Sequence, residues 1–340
     1  MPTIKDIARE AGVSVTTVSN VIHGKHTRVA QNTIARINQI IKTHSYTPNL
    51  SARALVNRSS RIIGVINHLI RSPTISFFQD PFHSALLGGI EKKLRERGYY
   101  MMVRTVTDEG ELYSLFNNLN LDGLILTGLF NDGFFARLLE ANKPIVLLDS
   151  YIRNERIFNV GLDDRKGGFM ATQYLIDKGH RNIVFASPPI HRHGVIEERF
   201  KGYKAALKKN SIPFSPENIY QQEITPNEGI TLGHTLSKRH DVSAVFATAD
   251  ILAAGIISGL CQAGRRIPDD ISIMGFDDIF YSRIISPPLT TIRQDAQEKG
   301  AVAAGIMADY LEGKEKTPRA VTMPLSLVER DSVAPLNAGL

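Results

Sequence analysis

The sequence predicts a small all-α head followed by a larger α/β core built on parallel sheets. Three observations predict it. Over the first 46 residues, apolar side chains recur at helical spacing in three short runs. From Arg61 onward, strand-like apolar runs alternate with amphipathic helices, the pattern of parallel α/β units. The 340 residues, 43% of them hydrophobic, can bury a substantial core and suit two or three domains better than one.

In the head, Ile4, Ile7, Ala8 and Ala11 repeat at helical spacing, with Thr3 placed to cap the start and Gly12 to end the run. Ser14 is placed to cap a second helix whose Val18, Val21 and Ile22 face inward, leaving Val15, Thr16 and Asn20 outside. Helices joined so closely cross steeply, which the small Ala8 and Gly12 permit. The exposed start of the second helix can then enter a DNA major groove, about 12 Å wide. A third helix supplies Ile34, Ile37, Ile40 and Ile41 to the same core. A generic helical hairpin produces this periodicity too. Charge adds a second signal: residues 1–60 hold eight Lys/Arg against only Asp6 and Glu10, while the remainder balances at 32 of each sign. The whole formal excess of +6 therefore lies in the head, where it would attract phosphates and release counterions on binding; a solvated basic face is the alternative.

The literal residues carry more. The runs Thr3-Ile4-Lys5-Asp6-Ile7-Ala8, Ala11-Gly12-Val13-Ser14 and Thr17-Val18-Ser19-Asn20-Val21-Ile22 closely resemble the head of the lac repressor and galactose repressor (LacI/GalR) family. The resemblance continues through Tyr46, Pro48, Asn49, Ala52, Arg53 and Leu55 and through the core to Glu329 and Arg330. It implies a helix-turn-helix DNA-binding domain over residues 1–47, a hinge over 48–60 and an effector-binding and dimerisation core over 61–340. By the same resemblance Val15, Thr16 and Asn20 occupy base-reading positions, and Thr3, Ser14, Thr17, Ser19, Thr33 and Tyr46 match positions that contact or frame phosphates. The chemistry is compatible: Asn20 can offer a paired donor and acceptor to adenine, Thr16 either role, and Val15 contact with a thymine methyl. Many members carry Arg where this chain has Asn20, which would favour guanine, and Gln31-Asn32 replaces a commonly acidic pair. Residues 49–57 read by themselves as a polar linker. The resemblance implies a hinge helix that folds when two subunits pair over DNA, with Leu55 as a minor-groove wedge and Ala52 allowing close helix approach.

In the core, strand-like runs are expected at Ile62–Ile66, Tyr99–Val103, Leu124–Leu126, Ile145–Leu148, Ile183–Ala186, Val245–Ala247 and Ile271–Phe276. Helical runs are expected at Leu86–Leu94, Leu112–Leu119, Gly168–Ile176, Phe200–Leu207 and Leu252–Leu260. These are too many units for one compact sheet. The resemblance implies two doubly wound parallel-sheet lobes like those of periplasmic binding proteins: an N-lobe of about 61–161 and 293–324, and a C-lobe of about 162–292 and 325–340. The chain would cross near Gly161, Ile292 and Pro324.

Ligands of open α/β sheets sit at the carboxyl ends of strands, where Asp149 and Asp277 fall. A carboxylate there can accept from paired hydroxyls, or it can cap the next turn. The resemblance makes both effector contacts, together with Asp250. Arg199, before Phe200-Lys201-Gly202-Tyr203, matches the family's effector-binding arginine; an Arg fork can hold hydroxyls or a carboxylate, or lie on a solvated face. Asp80-Pro81-Phe82-His83 stands where relatives show Asn-Pro-aromatic-aromatic, so Phe82 can stack on a pyranose and His83 lies beside it; ordinary packing is the alternative. His193 is a further effector candidate or an exposed loop histidine. Ala249-Asp250 departs from the Asn-Asp of several sugar-responsive members.

No run of roughly 18 apolar residues exists to span a bilayer, and Lys5, Asp6, Arg9 and Glu10 interrupt the first residues, so a cytoplasmic, non-membrane protein is expected. The one cysteine, Cys261, sits among apolar residues and reads as buried. No Walker-type run, nucleophile elbow or metal-spaced Cys/His set appears, and His191 and His193 around Arg192 are poor evidence for a metal, so neither an enzyme nor a cofactor is expected. The expectation is a regulator of operator DNA, a homodimer or a tetramer, controlled by a sugar or sugar phosphate. A corepressor-dependent or phosphoprotein-dependent regulator, a solute-binding receptor and a sugar-modifying enzyme are the competing readings.

Overall fold

The computed structural model describes residues 2–22, 24–46, 59–67, 78–106, 110–111, 119–128, 138–140, 143–152 and 154–336. The chain forms two compact units, Met1–Ser60 and Arg61–Leu340. In the first, α1 (Ile4–Glu10), α2 (Val15–Ile22) and α3 (Gln31–Thr43) surround one small core. Thr3 caps α1 reciprocally: its hydroxyl accepts from the Asp6 amide at 3.3 Å, and Asp6 Oδ2 accepts from the Thr3 amide at 2.9 Å. Gly12, at φ +61, makes the left-handed turn into α2, whose first N–H groups Ser14 satisfies by accepting from Thr17 N at 3.1 Å. Helices of seven, eight and 13 residues are too short to persist alone. Burial of Ile7, Ala8, Ala11, Val18, Val21, Ile34, Ile37 and Ile40 against one another holds them, with Ile22 and Ile41 at its edge.

The second unit begins with β1 (Ile62–Asn67), α4 (Pro81–Glu96), β2 (Tyr100–Thr105), β3 (Gly123–Thr127), β4 (Ile145–Leu148) and β5 (Ile157–Gly161). It continues through α5 (Asp164–Asp177), β6 (Ile183–Ser187), α6 (Val195–Lys209), β7 (Ile219–Gln221), α7 (Pro226–Leu236), β8 (Ala244–Ala247), α8 (Asp250–Gln262) and β9 (Ser272–Asp277). It ends with β10 (Thr290–Arg293), α9 (Ala296–Leu311), β11 (Ala320–Thr322) and β12 (Ser326–Val328). Among the described residues two six-stranded sheets result, in the orders β11-β5-β4-β3-β1-β2 and β12-β10-β9-β8-β6-β7. The pairings are parallel except β10 with β12. Strands β3, β4, β6 and β8 are buried at every position, as parallel strands covered on both faces must be, which is why they read as unbroken apolar runs. The chain passes from the first sheet to the second after Gly161, returns after Arg293, and crosses again between Thr322 and Ser326.

Two glycines set how closely α5 and α6 pack. A Cβ on Gly168 of α5 would lie 2.1 Å from the Arg199 carbonyl oxygen, and one on Gly202 of α6 would lie 2.2 Å from that of Arg165. Only hydrogen at both places lets the two helices approach closely enough to bury Arg199 between them and the second sheet. One expectation fails: Cys261 is exposed, because the buried stripe of α8 ends at Leu260 and the next residue turns outward. Among the described residues no helix is long and apolar enough to cross a membrane, and no group of three or more His, Cys, Asp or Glu could hold a metal ion.

Candidate functional site

In the head, α2 carries no charged residue. Val15, 41% exposed, and the exposed Thr16 stand on its first turn, with the half-buried Ser19 and Asn20 one turn on, opposite the buried Val18 and Val21. This is a continuous neutral stripe of one apolar and three polar side chains, with no carboxylate on the helix to repel a phosphate. Ser14 and Thr17 pair through their hydroxyls at 2.9 Å at the helix start, where backbone N–H groups and the positive end of the dipole favour an anion. Thr3 is committed to Asp6 through both its amide and its hydroxyl, the latter at 2.7 Å. Thr33 lies in the first turn of α3, half-buried, and Tyr46 packs against the head core. His44 Nε2 meets Glu10 Oε2 at 2.7 Å, fastening the end of α3 to the end of α1. Ala52 and Leu55 lie outside the described residues.

In the core, a polar cluster assembles where the strands end and the chain changes lobe. Asp149 follows β4 at φ +54, and Asp277 closes β9 at φ +120 with Asp278 next at +59. Non-glycine residues rarely hold such φ values, and their clustering at strand ends is typical of binding sites. Lys299 of α9 is wholly buried, and its Nζ donates to Asp149 Oδ1 at 2.6 Å and to Gln294 Oε1 at 2.5 Å. Gln294 Nε2 in turn donates to Asp277 Oδ1 at 2.6 Å. A continuous relay, buried at Lys299 and Gln294 and half-buried at its two ends, thus joins the carboxylate at the end of β4 in the first lobe to that at the end of β9 in the second. The Phe82 ring centroid lies 5.5 Å from Lys299 Nζ. Asp80 caps α4 by accepting from the Phe82 amide at 3.1 Å and also engages His83 Nδ1.

Arg199 is almost entirely internal. Its Nε donates to Asp164 Oδ1 at 2.8 Å, its Nη1 donates to the Thr248 carbonyl at 2.7 Å, and its guanidinium lies 3.7 Å from the Phe276 ring centroid. Asp164 also receives the Tyr151 hydroxyl at 2.9 Å. Burial raises the Asp164 carboxyl above its ordinary range, with Arg199 opposing. Burial likewise pushes Asp277 well up against the pull of Arg199, and Asp277 feels the charges of Asp250 and Asp80 as well. Asp149, Tyr151, Asn159 and Asp164 border a cavity of about 140 Å³, and the buried Asn159 Oδ1 has no hydrogen-bond partner among the described residues.

The expected effector residues are therefore not equivalent. Phe82, His83, Asp149, Arg199 and Asp277 gather around one cluster. Asp250 is a brace: its oxygens accept from Ile279 N at 3.0 Å, Ser282 Oγ at 2.5 Å and Thr291 Oγ1 at 2.6 Å, tying the start of α8 to the turn after β9 and to β10. His193 is exposed at φ +63, its amide donating to Glu197 Oε2 at 2.8 Å. Sequence reasoning missed Lys299, Gln294, Asp164 and Tyr151. The signal for Lys299 was present, since it falls on the stripe of Ala303, Ile306 and Met307 at spacings of four, seven and eight. Gln294 directly follows a strand too polar to be noticed, Thr290–Arg293.

Comparison with known proteins matches residues 3–49 to bacterial regulatory proteins of the lacI family and residues 172–333 to a periplasmic binding protein-like domain. A transcriptional repressor, PurR of Yersinia pestis, is 32% identical over 98% of this chain and 97% of its own length. The complex of the transcriptional regulator CelR with cellobiose superposes with a TM-score of 0.72 at 28% identity, covering 98% of this chain and all of the other. The lac repressor dimer bound to operator and the anti-inducer ONPF superposes with a TM-score of 0.84 at 24% identity, covering 98% of this chain and 99% of the other, a likeness of fold.

Proposed function

The chain belongs to the lacI family of bacterial regulatory proteins, and on that premise we propose that it represses carbohydrate-utilisation genes as a homodimer whose effector is a sugar. It is a DNA-binding transcription regulator. The observation that carries the detailed reading is the neutral stripe of Val15, Thr16, Ser19 and Asn20 on the one unit that holds the chain's whole positive excess. Two such units on neighbouring half-sites match a pseudo-palindromic operator. The relay from Asp149 through Lys299 and Gln294 to Asp277 supports a cleft that reads the effector from both lobes. A ligand that binds one lobe arrangement better than another changes the spacing of the paired heads.

A second copy of the chain has a suitable surface to cover. Phe280, Tyr281 and Ile284 are 67%, 46% and 60% exposed within five residues of the second lobe, a density of large side chains that supports this reading. Sedimentation and duplex binding of Ile284→Asp beside the natural chain test the reading. The variant is expected to shift toward monomer and to bind operator at least 10-fold more weakly, with the head's helical content unchanged. Full operator affinity in a monomeric variant would contradict it.

A further inference from the structure

We propose that Tyr151 is a positioning residue that couples the placement of the two lobes to Arg199, by holding from the first lobe the Asp164 carboxylate on which that arginine is set. The inference rests on the reading of the cleft as the effector site. The loop after β4 is fixed to its own lobe on both sides of Tyr151. Before it, the Asp149 amide donates to the Val160 carbonyl at 3.0 Å and the Asp149 carboxylate takes Lys299 at 2.6 Å. After it, Ile152 is buried and its carbonyl accepts from Asn159 Nδ2 at 2.9 Å. Tyr151 is thereby an arm carried by the first lobe. Among the described residues, its hydroxyl meets only atoms beyond the crossing at Gly161. It lies 2.9 Å from Asp164 Oδ2 and 3.1 Å from the Leu162 carbonyl oxygen, either of which can take its proton, and it accepts from the Asp164 amide at 3.2 Å. Burial holds the phenol well above its ordinary pKa, so it remains a donor.

Asp164 opens α5 in the second lobe, and its two oxygens are divided between the lobes: Oδ2 faces Tyr151, and Oδ1 takes Arg199 Nε at 2.8 Å. The carboxylate is planar and rigid, so a pull on one oxygen turns the other. Arg199 Nη2 makes no hydrogen bond among the described residues and is not enclosed, so it keeps a donor for a ligand oxygen. A ligand that draws on Nη2 is felt at Tyr151, and a shift of the lobes that parts Tyr151 from Asp164 is felt at the guanidinium. The cavity of about 140 Å³ bordered by Tyr151, Asn159 and Asp164 leaves the hydroxyl room to part. One hydrogen bond to an ionised group weighs on such an equilibrium by about 10-fold or more, enough to set which lobe placement prevails.

The test reads lobe placement and Arg199 separately, in the full chain and without ligand. Nitroxides on Lys208→Cys and Lys316→Cys, exposed positions of the second and first lobes, in a Cys261→Ser chain report the interlobe distance by pulsed electron resonance. Unlabelled chain in excess keeps each measured pair within one chain. Tyr151→Phe, which keeps the ring and removes the hydroxyl, is expected to raise the share of a second interlobe distance at least 5-fold. In chain carrying isotope-labelled arginine, the Arg199 Nε–H resonance, identified by its loss in Arg199→Lys, is expected to exchange with water at least 5-fold faster in Tyr151→Phe. A merely structural role would lower the unfolding temperature and leave the distance distribution where it was. An unmoved distribution, or unchanged exchange at Arg199, in folded Tyr151→Phe would overturn this inference alone. Failure of D-glucose, D-ribose and cellobiose alike to bind the natural chain in isothermal titration would overturn the saccharide reading of the cleft and leave the Tyr151 contact standing.

Discussion

Replacing Arg199 by Ala should unfold the second lobe far more readily than an ordinary ligand-contact substitution would, because the side chain is structural before it is anything else. It is 6% exposed, and the guanidinium makes one ionic hydrogen bond to Asp164, one to the Thr248 carbonyl and a stacking contact with Phe276. Its removal strands Asp164, which is 1% exposed, with the Tyr151 hydroxyl as its remaining side-chain donor and the more distant charge of Lys299 to answer its own. Breaking a buried pair by deleting one partner costs about 3–5 kcal/mol. That is a large part of the roughly 5–15 kcal/mol that separates folded from unfolded domains. Replacing both partners by uncharged residues of similar shape should cost much less, since no charge is then stranded. Urea unfolding followed by tyrosine fluorescence is suitable, the chain having ten Tyr and no Trp. Arg199→Ala should lower stability by about 3–5 kcal/mol, and Arg199→Met with Asp164→Asn by at least about 1.5 kcal/mol less. A loss below about 1 kcal/mol in the single variant, or a double variant as unstable as the sum of the two singles, would refute the reasoning.

Further outcomes follow from the same geometry. Gly202→Ala should lose about 1–3 kcal/mol in thermal unfolding, since the new methyl would fall 2.2 Å from a backbone oxygen that cannot rotate away; unchanged stability would mean that α5 and α6 slide freely. Asn20→Arg should move base preference toward guanine at one operator position, worth about 1–3 kcal/mol of discrimination in competition assays, and an unchanged preference would remove Asn20 from base reading. Leu55→Ala should weaken operator binding at least 10-fold with sugar affinity intact, because an apolar wedge offsets an unstacking cost of a few kcal/mol; equal losses in both assays would contradict the separation of hinge and cleft.

The head was legible almost residue by residue, because helical spacing, a capping threonine and serine and one turn glycine each leave a local mark. Buried strands β3, β4, β6 and β8 were legible for the same reason, as unbroken apolar runs. Strand β10 was not, since Thr290 and Thr291 are buried by bonds to Ser332, Arg330 and Asp250 that no local pattern announces. The cluster followed suit: Asp149 and Asp277 stood out at strand ends, whereas Lys299 and Gln294 acquire their meaning only when residues 150 and 17 positions away are brought to them. Arg199 shows a divided case: its Nε and Nη1 are bound within the fold, and its Nη2 makes no hydrogen bond among the described residues. Cys261 was misjudged because the apolar run around it continues past the last buried turn of α8.

Selection of duplexes from a random-sequence pool by the purified chain at low ionic strength, followed by titration of the winner with and without free sugars, probes the coupling of head to core most directly. Enrichment of a two-fold symmetric site, bound less tightly as salt rises and at least 5-fold differently with one of the sugars present, is the predicted result. A pool that stays random, or a symmetric site whose affinity no sugar changes while sugar binding is independently measured, would contradict it.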